Sequence, residues 1–265
     1  MSEFYSHWNH RAYAKKHGYS YINCGWPAGV SNKYLTKMVY IKEYIRKFDW
    51  IFWIDDDALF VNLDLPLEEF IPKGDKFLSF CRSPITNDGD FVYLGSGQFF
   101  IRGGELGASF IDAVLAVDIS EVNKWWRPEL GLFTRGDQDA IVYLLHEDDR
   151  FIDRAVIHPY TSFNSRISDL LRDPTRVRVL HFTGIQQKKL RDHGVAMDFL
   201  KYGPALLPDE VEEDLLSIWY GAGVQGSRQA GSSSMPFSYD IVRKGLRFCR
   251  KGASKAMRLL RVKGA

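Results

Sequence analysis

An uninterrupted apolar run that ends in three aspartates is the feature that most constrains the fold of this chain. Residues 50–54, Trp-Ile-Phe-Trp-Ile, are followed directly by Asp55, Asp56 and Asp57. Five consecutive apolar residues are typical of a strand buried on both faces, as in the sheets of α/β proteins. Three adjacent carboxylates repel one another and are costly to bury without a cation. The run therefore predicts a core strand whose carboxyl end carries a binding site, because ligands of open α/β sheets lie at that end.

Helix, strand, helix and strand patterns follow one another over the first 54 residues, which predicts an α/β fold. Apolar residues at helical spacing indicate helices, and short apolar runs bounded by turn residues indicate strands. The predicted helices cover residues 4–17, 33–48, 105–117, 138–146 and 208–219. The predicted strands cover residues 19–22, 50–54, 77–80, 98–101, 155–157 and 177–180.

Composition and charge divide the chain into three predicted parts. We predict one catalytic domain at residues 1–220, a flexible Gly- and Ser-rich linker at 221–236 and a basic helix at 237–265. Residues 239–265 contain nine Lys or Arg and one acid, Asp240. Apolar residues recur there at steps of three or four, which is typical of an amphipathic helix: Val242, Leu246, Cys249, Ala253, Met257 and Leu260.

The basic helix predicts a membrane-surface anchor with a preference for anionic lipids. A helix packed against the body or against a partner protein is the alternative. Nucleic-acid binding is disfavoured, because aromatic residues are sparse in this segment and the rest of the chain is acidic.

Cysteine usage and hydropathy predict a cytoplasmic protein that reaches the membrane surface only peripherally. Cys24, Cys81 and Cys249 are odd in number and far apart, so they indicate neither a disulfide framework nor a zinc site. No apolar run approaches the roughly 18 residues of a membrane-spanning helix, and the first ten residues do not resemble a signal peptide.

The acidic turn predicts a divalent cation site. In an extended segment, residues i and i+2 point the same way, so Asp55 and Asp57 could share one ion while Asp56 points elsewhere. Oxygen ligands suit Mg²⁺ or Mn²⁺, which would also bridge the phosphates of a nucleotide diphosphate. A solvated acidic loop or a helix N-terminus explains the three aspartates equally well on spacing alone. An EF-hand calcium loop is disfavoured, because its glycine and distal glutamate do not follow.

Five segments resemble the motifs of glycosyltransferase family 34, in the order in which that family carries them. Residues 50–60 (WIFWIDDDALF) resemble its strand and DxD motif, and residues 95–102 (GSGQFFIR) resemble its N-x-G-x-F-L-I-R strand. Residues 136–145 (GDQDAIVYLL) resemble its D-Q-S-A-L-V-Y-L-L helix start, residues 179–184 (VLHFTG) its H-F-A-G turn, and residues 9–19 (NHRAYAKKHGY) its early helix. The chain is therefore similar to a family of galactosyl-, mannosyl- and xylosyltransferases with the GT-A fold.

The resemblance implies a metal site and a catalytic pair. Asp55 and Asp57 match the metal-binding DxD of the family, and His181 matches its third metal ligand, for which imidazole is a suitable group. Asp137 and Gln138 match a D-Q pair beside the anomeric carbon of the sugar, which implies a catalytic role. Two simpler interpretations stay open. A histidine after a strand is commonly a hydrogen-bonded surface residue, and an aspartate that opens a helix caps it well.

Four further residues are candidate contacts of the nucleotide-sugar donor. Lys37 lies 18 residues before Asp55, where enzymes of this type often carry a lysine that reaches the nucleotide, although an exposed helix face explains it equally well. Gly97 would let the backbone approach the donor closely, unless a close strand contact requires it. Asp56 shares the acidic turn, and Lys188 is a candidate phosphate contact, displaced in register from the lysine of the family.

The resemblance implies a single GT-A, Rossmann-like domain that transfers a hexose or pentose from a nucleotide diphosphate sugar. The expected donor is a UDP-sugar, the expected cofactor is Mn²⁺ or Mg²⁺, and the expected acceptor is a glycan or a lipid-linked glycan. Family 34 enzymes retain anomeric configuration. GT-A domains begin with a strand that floors the nucleotide site, and no such strand precedes the first predicted helix. An upstream strand, or a different mode of holding the base, is therefore expected.

Three other functions stay open: an inverting transferase, a non-catalytic module that binds nucleotide sugars or glycans, and a membrane-binding adaptor. Two segments could stack on a sugar acceptor, namely the polar loop at residues 82–93 and the pair Trp125 and Trp126. Tryptophans of this kind more often belong to the core.

Overall fold

A computed structural model describes residues 4–30, 32–86 and 88–215 of the chain. The predicted linker at 221–236 and the predicted basic helix at 237–265 lie outside these residues. Of the helices within the described ranges, none is both long and apolar enough to cross a membrane.

The described chain contains both helices and strands, with two helices first, then four strands in succession, then three helices. The helices are α1 (Ser6–His17), α2 (Thr36–Tyr44), α3 (Glu105–Ala116), α4 (Ile119–Trp125), α5 (Asp137–Glu147), α6 (Ile167–Arg172) and α7 (Gln186–Leu200). The strands are β1 (Trp50–Ile54), β2 (Ala58–Phe60), β3 (Leu78–Cys81), β4 (Gly95–Arg102), β5 (Ala155–His158) and β6 (Val179–His181). Residues 209–215 are also helical.

A central mixed sheet carries the strand order β1-β4-β3-β5. β4 runs antiparallel to both β1 and β3, whereas β3 and β5 are parallel. One face of this sheet packs against α2, α3 and α5, where most of the fully buried apolar side chains of the described chain lie. β1 lies at the edge of the sheet, so the three aspartates that follow it emerge at the sheet margin.

Strands β2 and β6 form a separate two-stranded ribbon. Its antiparallel register places Ala58 opposite His181 and Phe60 opposite Val179. Because β2 begins directly after the acidic turn, this register decides which residue of β6 faces that turn.

Helix α1 holds β2 in place through buried polar groups. The Asn9 amide donates to the carbonyl oxygens of Phe60 (2.8 Å) and Ala205 (2.9 Å), and the Phe60 N–H donates to Asn9 Oδ1 (2.6 Å). The His10 ring donates from Nε2 to the Ala58 carbonyl oxygen (2.7 Å). Burial lowers the pKa of His10 to about 4, so the ring stays neutral and serves as a fixed donor.

Two sequence-based expectations about strands are wrong. Residues 19–22 form no strand and pair with none of the strands in the described ranges. The Tyr19 ring instead stacks on His17, with the ring centroids 5.5 Å apart. β1 is only half-buried along its whole length, because it is an edge strand rather than a central one. The long helix α7 and the short strand β2 have no counterpart among the predicted elements.

Candidate active site

The acidic turn lies between the end of β1 and the start of β2. The Asp55 N–H donates to the Gly97 carbonyl oxygen (2.7 Å), and the Ala58 N–H donates to the Asp55 carbonyl oxygen (3.2 Å), which closes a turn. The expectation of an extended segment is therefore wrong. The side chains of Asp55 and Asp57 face different partners, and Asp56 is exposed.

The ribbon of β2 and β6 brings His181 to Asp57. The Phe182 N–H donates to the Asp57 carbonyl oxygen (2.9 Å), and His181 Nε2 lies 3.2 Å from Asp57 Oδ1. That oxygen is buried and accepts no hydrogen bond within the described ranges, whereas Lys189 Nζ donates to Oδ2 at 2.5 Å. Burial raises the pKa of Asp57, but His181 and Lys189 outweigh burial and lower it to about 2.

Lys37 is buried between two carboxylates rather than exposed on its helix. Its ammonium donates to the Ser96 carbonyl oxygen (2.9 Å) and to Asp55 (3.2 Å), and lies 3.5 Å from Asp137 Oδ2. Burial lowers the pKa of Lys37, but Asp55 and Asp137 outweigh it and raise the pKa above its ordinary value. Asp55 also accepts from the indole N–H of Trp53 (2.6 Å). Lys37 therefore joins the acidic turn to the start of α5.

Gly97 leaves the space that Asp55 and His181 use. A Cβ at Gly97 would lie 2.8 Å from His181 Cε1 and 3.2 Å from Asp55 Oδ2. Real Cβ atoms essentially never approach other atoms closer than 3.0 Å. The glycine is therefore required here by the two side chains that border it, and both of them are predicted metal ligands.

The predicted ligands fit a divalent cation in their chemistry, although they are paired with lysines in this structure. Within the described residues, no three His, Cys, Asp or Glu side chains already form a metal-binding group. The carboxylates of Asp55 and Asp57 are instead paired with Lys37 and Lys189. Two observations nevertheless favour an ion: the buried Asp57 Oδ1 has no hydrogen bond beside His181 Nε2, and Asp55 and His181 converge on Gly97.

The start of α5 presents Asp137 to the site, and another residue caps the helix. Gly136 is the N-cap residue, and the fully buried Asp139 accepts from the N–H groups of Thr134 (2.9 Å) and Gly136 (3.1 Å). Asp137 is only 3% exposed, and burial raises its pKa although Lys37 opposes that effect. Gln138 donates from Nε2 to Thr134 Oγ1 (3.0 Å). The capping interpretation therefore applies to Asp139, and Asp137 faces Lys37.

Helix α7 directs its second lysine, not its first, to the acidic turn. Lys188 donates to Asp192 Oδ2 (2.8 Å) and to the Thr183 carbonyl oxygen (3.3 Å). Lys189 reaches Asp57. The structure thus brings together Lys37, Asp55, Asp57, Gly97, Asp137 and His181, and it adds Lys189, which the register of the sequence motif did not indicate.

Strand β1, whose outer edge pairs with no other strand of the described residues, lines an open groove of about 1020 Å³. α1, α2 and residues 19–25 form its other walls, and Asp55 and Asp56 border it at the carboxyl end of β1. The groove is largely apolar along the strand, and His7 and His10 are among the polar residues that line it.

Trp125 and Trp126 are anchored within the protein. The Trp125 indole donates to Glu147 (2.7 Å) and packs edge-on against Tyr143, with ring centroids 5.2 Å apart. The Trp126 indole donates to the Gly131 carbonyl oxygen (2.8 Å). Both rings therefore have structural contacts that account for them.

Comparison with known proteins agrees with the motif pattern. Residues 4–83 match the sequence model of the galactosyl transferase GMA12/MNN10 family. An uncharacterized alpha-1,2-galactosyltransferase of Schizosaccharomyces pombe is 28% identical, over 39% of this chain and 37% of its own length. A second protein of that organism, named alpha-1,2-galactosyltransferase, is 26% identical over the same shares. A putative glycosyltransferase 7 of Arabidopsis thaliana is 27% identical, over 44% of this chain and 28% of its own length.

The chain thus spans little more than a third of the first two relatives that it matches. Among solved structures, a glycosyltransferase involved in the glycosylation of the major capsid of PBCV-1 has a similar fold. Its TM-score is 0.55 at 16% identity, and the match covers 74% of this chain and 93% of that one. The mixed α/β fold with a central sheet is therefore similar to a known glycosyltransferase structure, and the resemblance to glycosyltransferase family 34 is confirmed.

Proposed function

We propose that this chain transfers a sugar from a nucleotide diphosphate sugar to a glycan acceptor. The observation that carries the proposal is that Asp55 and His181 meet at Gly97 and Asp57 lies beside His181. Lys37 links Asp55 to Asp137 next to them. These residues come from five separate segments of the chain. Packing of the core does not require charged groups at this margin of the sheet, and binding a diphosphate does.

Asp55, Asp57 and His181 would hold a divalent cation, for which Mn²⁺ suits the mixed oxygen and imidazole ligands. When bound, the cation would neutralise charge on the diphosphate leaving group. Lys37 and Lys189, which neutralise Asp55 and Asp57 in this structure, would then be available to the phosphate oxygens. We therefore assign the phosphate contact proposed for α7 to Lys189, because Lys188 is paired with Asp192.

The groove along β1 supports a GT-A arrangement of the donor. We place the nucleoside at the end of the groove that Asp55 and Asp56 border, with a UDP-sugar as the preferred donor.

For the reaction itself we propose transfer on the front face of the sugar, with retention of configuration. The bond from the anomeric carbon to the diphosphate oxygen breaks, the acceptor oxygen bonds to the same face, and the departing oxygen takes the acceptor proton. Asp137 and Gln138 orient the sugar, and the Asp137 carboxylate stabilises positive charge at the anomeric carbon. An inverted product anomer, seen by NMR, would exclude this scheme.

The decisive assay measures hydrolysis of a panel of UDP- and GDP-sugars with and without Mn²⁺. We expect metal-dependent release of the nucleotide from at least one donor by the wild-type chain. Asp57→Ala is expected to lose at least about 100-fold of that rate, as removal of a positioned catalytic group typically does. Lys189→Ala is expected to keep metal dependence and to bind UDP more weakly.

The matched control is Asp64→Ala, because Asp64 is an exposed aspartate whose side chain pairs with Lys16. The Asp64→Ala variant should hydrolyse the donors at the wild-type rate. Metal-dependent UDP binding without turnover of any donor would instead favour the second candidate, a non-catalytic nucleotide-sugar-binding module.

A peripheral membrane role for residues 237–265 stays a prediction from the sequence, and binding of anionic liposomes with and without that segment tests it.

A further inference from the structure

A buried asparagine contacts His181 of the proposed metal site at Nδ1, the ring nitrogen that does not face Asp57. Asn164 is 1% exposed, and its Oδ1 lies 2.9 Å from His181 Nδ1. The orientation of the amide follows from its other partners. The Arg166 guanidinium, which can only donate, reaches Oδ1 at 2.7 Å, and the Arg82 carbonyl oxygen, which can only accept, lies 3.2 Å from Nδ2.

This orientation determines where His181 carries its proton. Because Asn164 Oδ1 can only accept, His181 must donate from Nδ1. In the neutral ring, Nε2 then bears the lone pair, and Nε2 is the atom that faces the buried, unbonded Asp57 Oδ1 at 3.2 Å. A lone pair and a carboxylate oxygen that converge in this way form a suitable pair of ligands for a cation.

Backbone hydrogen bonds also hold the segment that carries Asn164. The neighbouring Ser165 donates its N–H to the Val179 carbonyl oxygen (3.0 Å) and accepts from the His181 N–H (2.9 Å). The segment that carries Asn164 is therefore bonded to β6 on both sides of Leu180, and one of these bonds is to the His181 backbone. Arg166 also donates to the Asn164 carbonyl oxygen (2.5 Å).

Strand β4 makes room for this arrangement with two glycines on one face. A Cβ at Gly95 would lie 2.9 Å from Asn164 Nδ2, and a Cβ at Gly97 would lie 2.8 Å from His181 Cε1. Residues i and i+2 of a strand share a face. Gly95 and Gly97 therefore lie on the face of β4 that borders Asn164 and His181.

We infer that Asn164 is the positioning residue of the proposed metal site, fixing the tautomer and ring orientation of His181 so that Nε2 faces the ion. The expected effect on metal affinity rests on the proposed function. The tautomer assigned to His181 does not, because Asn164 sets it without any metal. Partners behind a ligating histidine typically affect metal affinity by roughly 10- to 100-fold.

The first test needs no variant and no metal. In metal-free wild-type protein in alkaline buffer, ¹⁵N-edited NMR of the His181 ring is expected to show the tautomer protonated at Nδ1, with Nε2 unprotonated. His181→Gln identifies the signal. A neutral ring protonated at Nε2 would overturn the inference, whether or not the protein binds Mn²⁺.

The second test is calorimetric titration of Mn²⁺ into the chain without donor. Asn164→Ala is expected to weaken Mn²⁺ binding by roughly 10- to 100-fold, and Asn164→Asp, whose carboxylate also accepts from Nδ1, is expected to stay within a few-fold of wild type. Asn62→Ala, away from this cluster, is the matched control. Unchanged binding in folded Asn164→Ala overturns the inference. Absence of Mn²⁺ binding in the wild type contradicts the proposed metal site instead, and leaves the tautomer to the first test.

Discussion

Replacing Lys37 with methionine is expected to destabilise the protein by about 3 kcal/mol, the usual cost of removing one partner from a buried ion pair. The Lys37 side chain is 12% exposed and its ammonium lies between Asp55 and Asp137. Methionine retains most of the volume, so the loss comes from two carboxylates that face each other without a cation. The shift of the urea denaturation midpoint measures the effect.

The pH dependence of this loss is a stricter check. Burial already raises the pKa of Asp137, and Lys37 opposes that shift, so Asp137 takes up a proton more readily in Lys37→Met. A carboxyl whose folded-state pKa is raised destabilises the fold when it is ionised. The penalty decreases as the pH falls through that pKa and is gone below the pKa of the unfolded state. The difference between variant and wild type should therefore shrink in acid.

Lys42→Met is the matched control for Lys37→Met. Lys42 lies on the same helix and pairs with Asp112, but the two side chains are 49% and 51% exposed. Exposed pairs contribute about 0–1 kcal/mol, so this variant should lie close to the wild type. Equal stability of the two variants would contradict the buried role assigned to Lys37.

Gly97→Ala is expected to weaken Mn²⁺ binding by at least roughly 10-fold while the protein stays folded. The new Cβ would meet His181 Cε1 at 2.8 Å, and the ring cannot swing away easily because Asn164 holds its other nitrogen. Alanine is intrinsically no worse than glycine within a strand, so any loss arises from this contact. Overpacking costs about 1–3 kcal/mol of stability, which thermal unfolding measures.

Gly25→Ala provides the comparison for Gly97→Ala. Apart from its chain neighbours, no atom of the described residues lies within 4 Å of the position that its Cβ would take, and its backbone needs no left-handed conformation. Calorimetric titration of Mn²⁺ should therefore give the same affinity for Gly25→Ala as for the wild type. If Gly97→Ala also binds Mn²⁺ normally, Asp55 and His181 do not share an ion beside that glycine.

The sequence predicted the elements whose signals are local. The apolar run of β1, the Gly18 stop of α1 and the spacing of α3 and α5 all lie within a few residues of the structures that they specify. The strand predicted at residues 19–22 was wrong because a strand also needs a partner that is distant in sequence. Strand propensity indicates a side chain suited to a half-buried sheet surface, and no strand lies alongside this segment in the described ranges.

The site depended on information that no single segment carries. The family resemblance, rather than spacing, joined His181 to the acidic turn, because the joining ribbon uses a strand of only three residues, Ala58–Phe60. The choice between Lys188 and Lys189 depends on the rotational phase of α7, since successive residues on a helix point about 100° apart. Asn164 carries no motif at all, and only its contact with His181 identifies it.

The pairing of Ala58 with His181 gives the proposed site a thermodynamic consequence. An ion held by Asp57 and His181 would tie together two segments that are distant along the chain and adjacent in the ribbon. Whatever binds the folded ribbon and not the unfolded chain stabilises it by mass action, by about 2.7 kcal/mol at a concentration 100 times the dissociation constant. The cation would then act as a reversible cross-link, and the ribbon would open most readily when the ion and the donor have left.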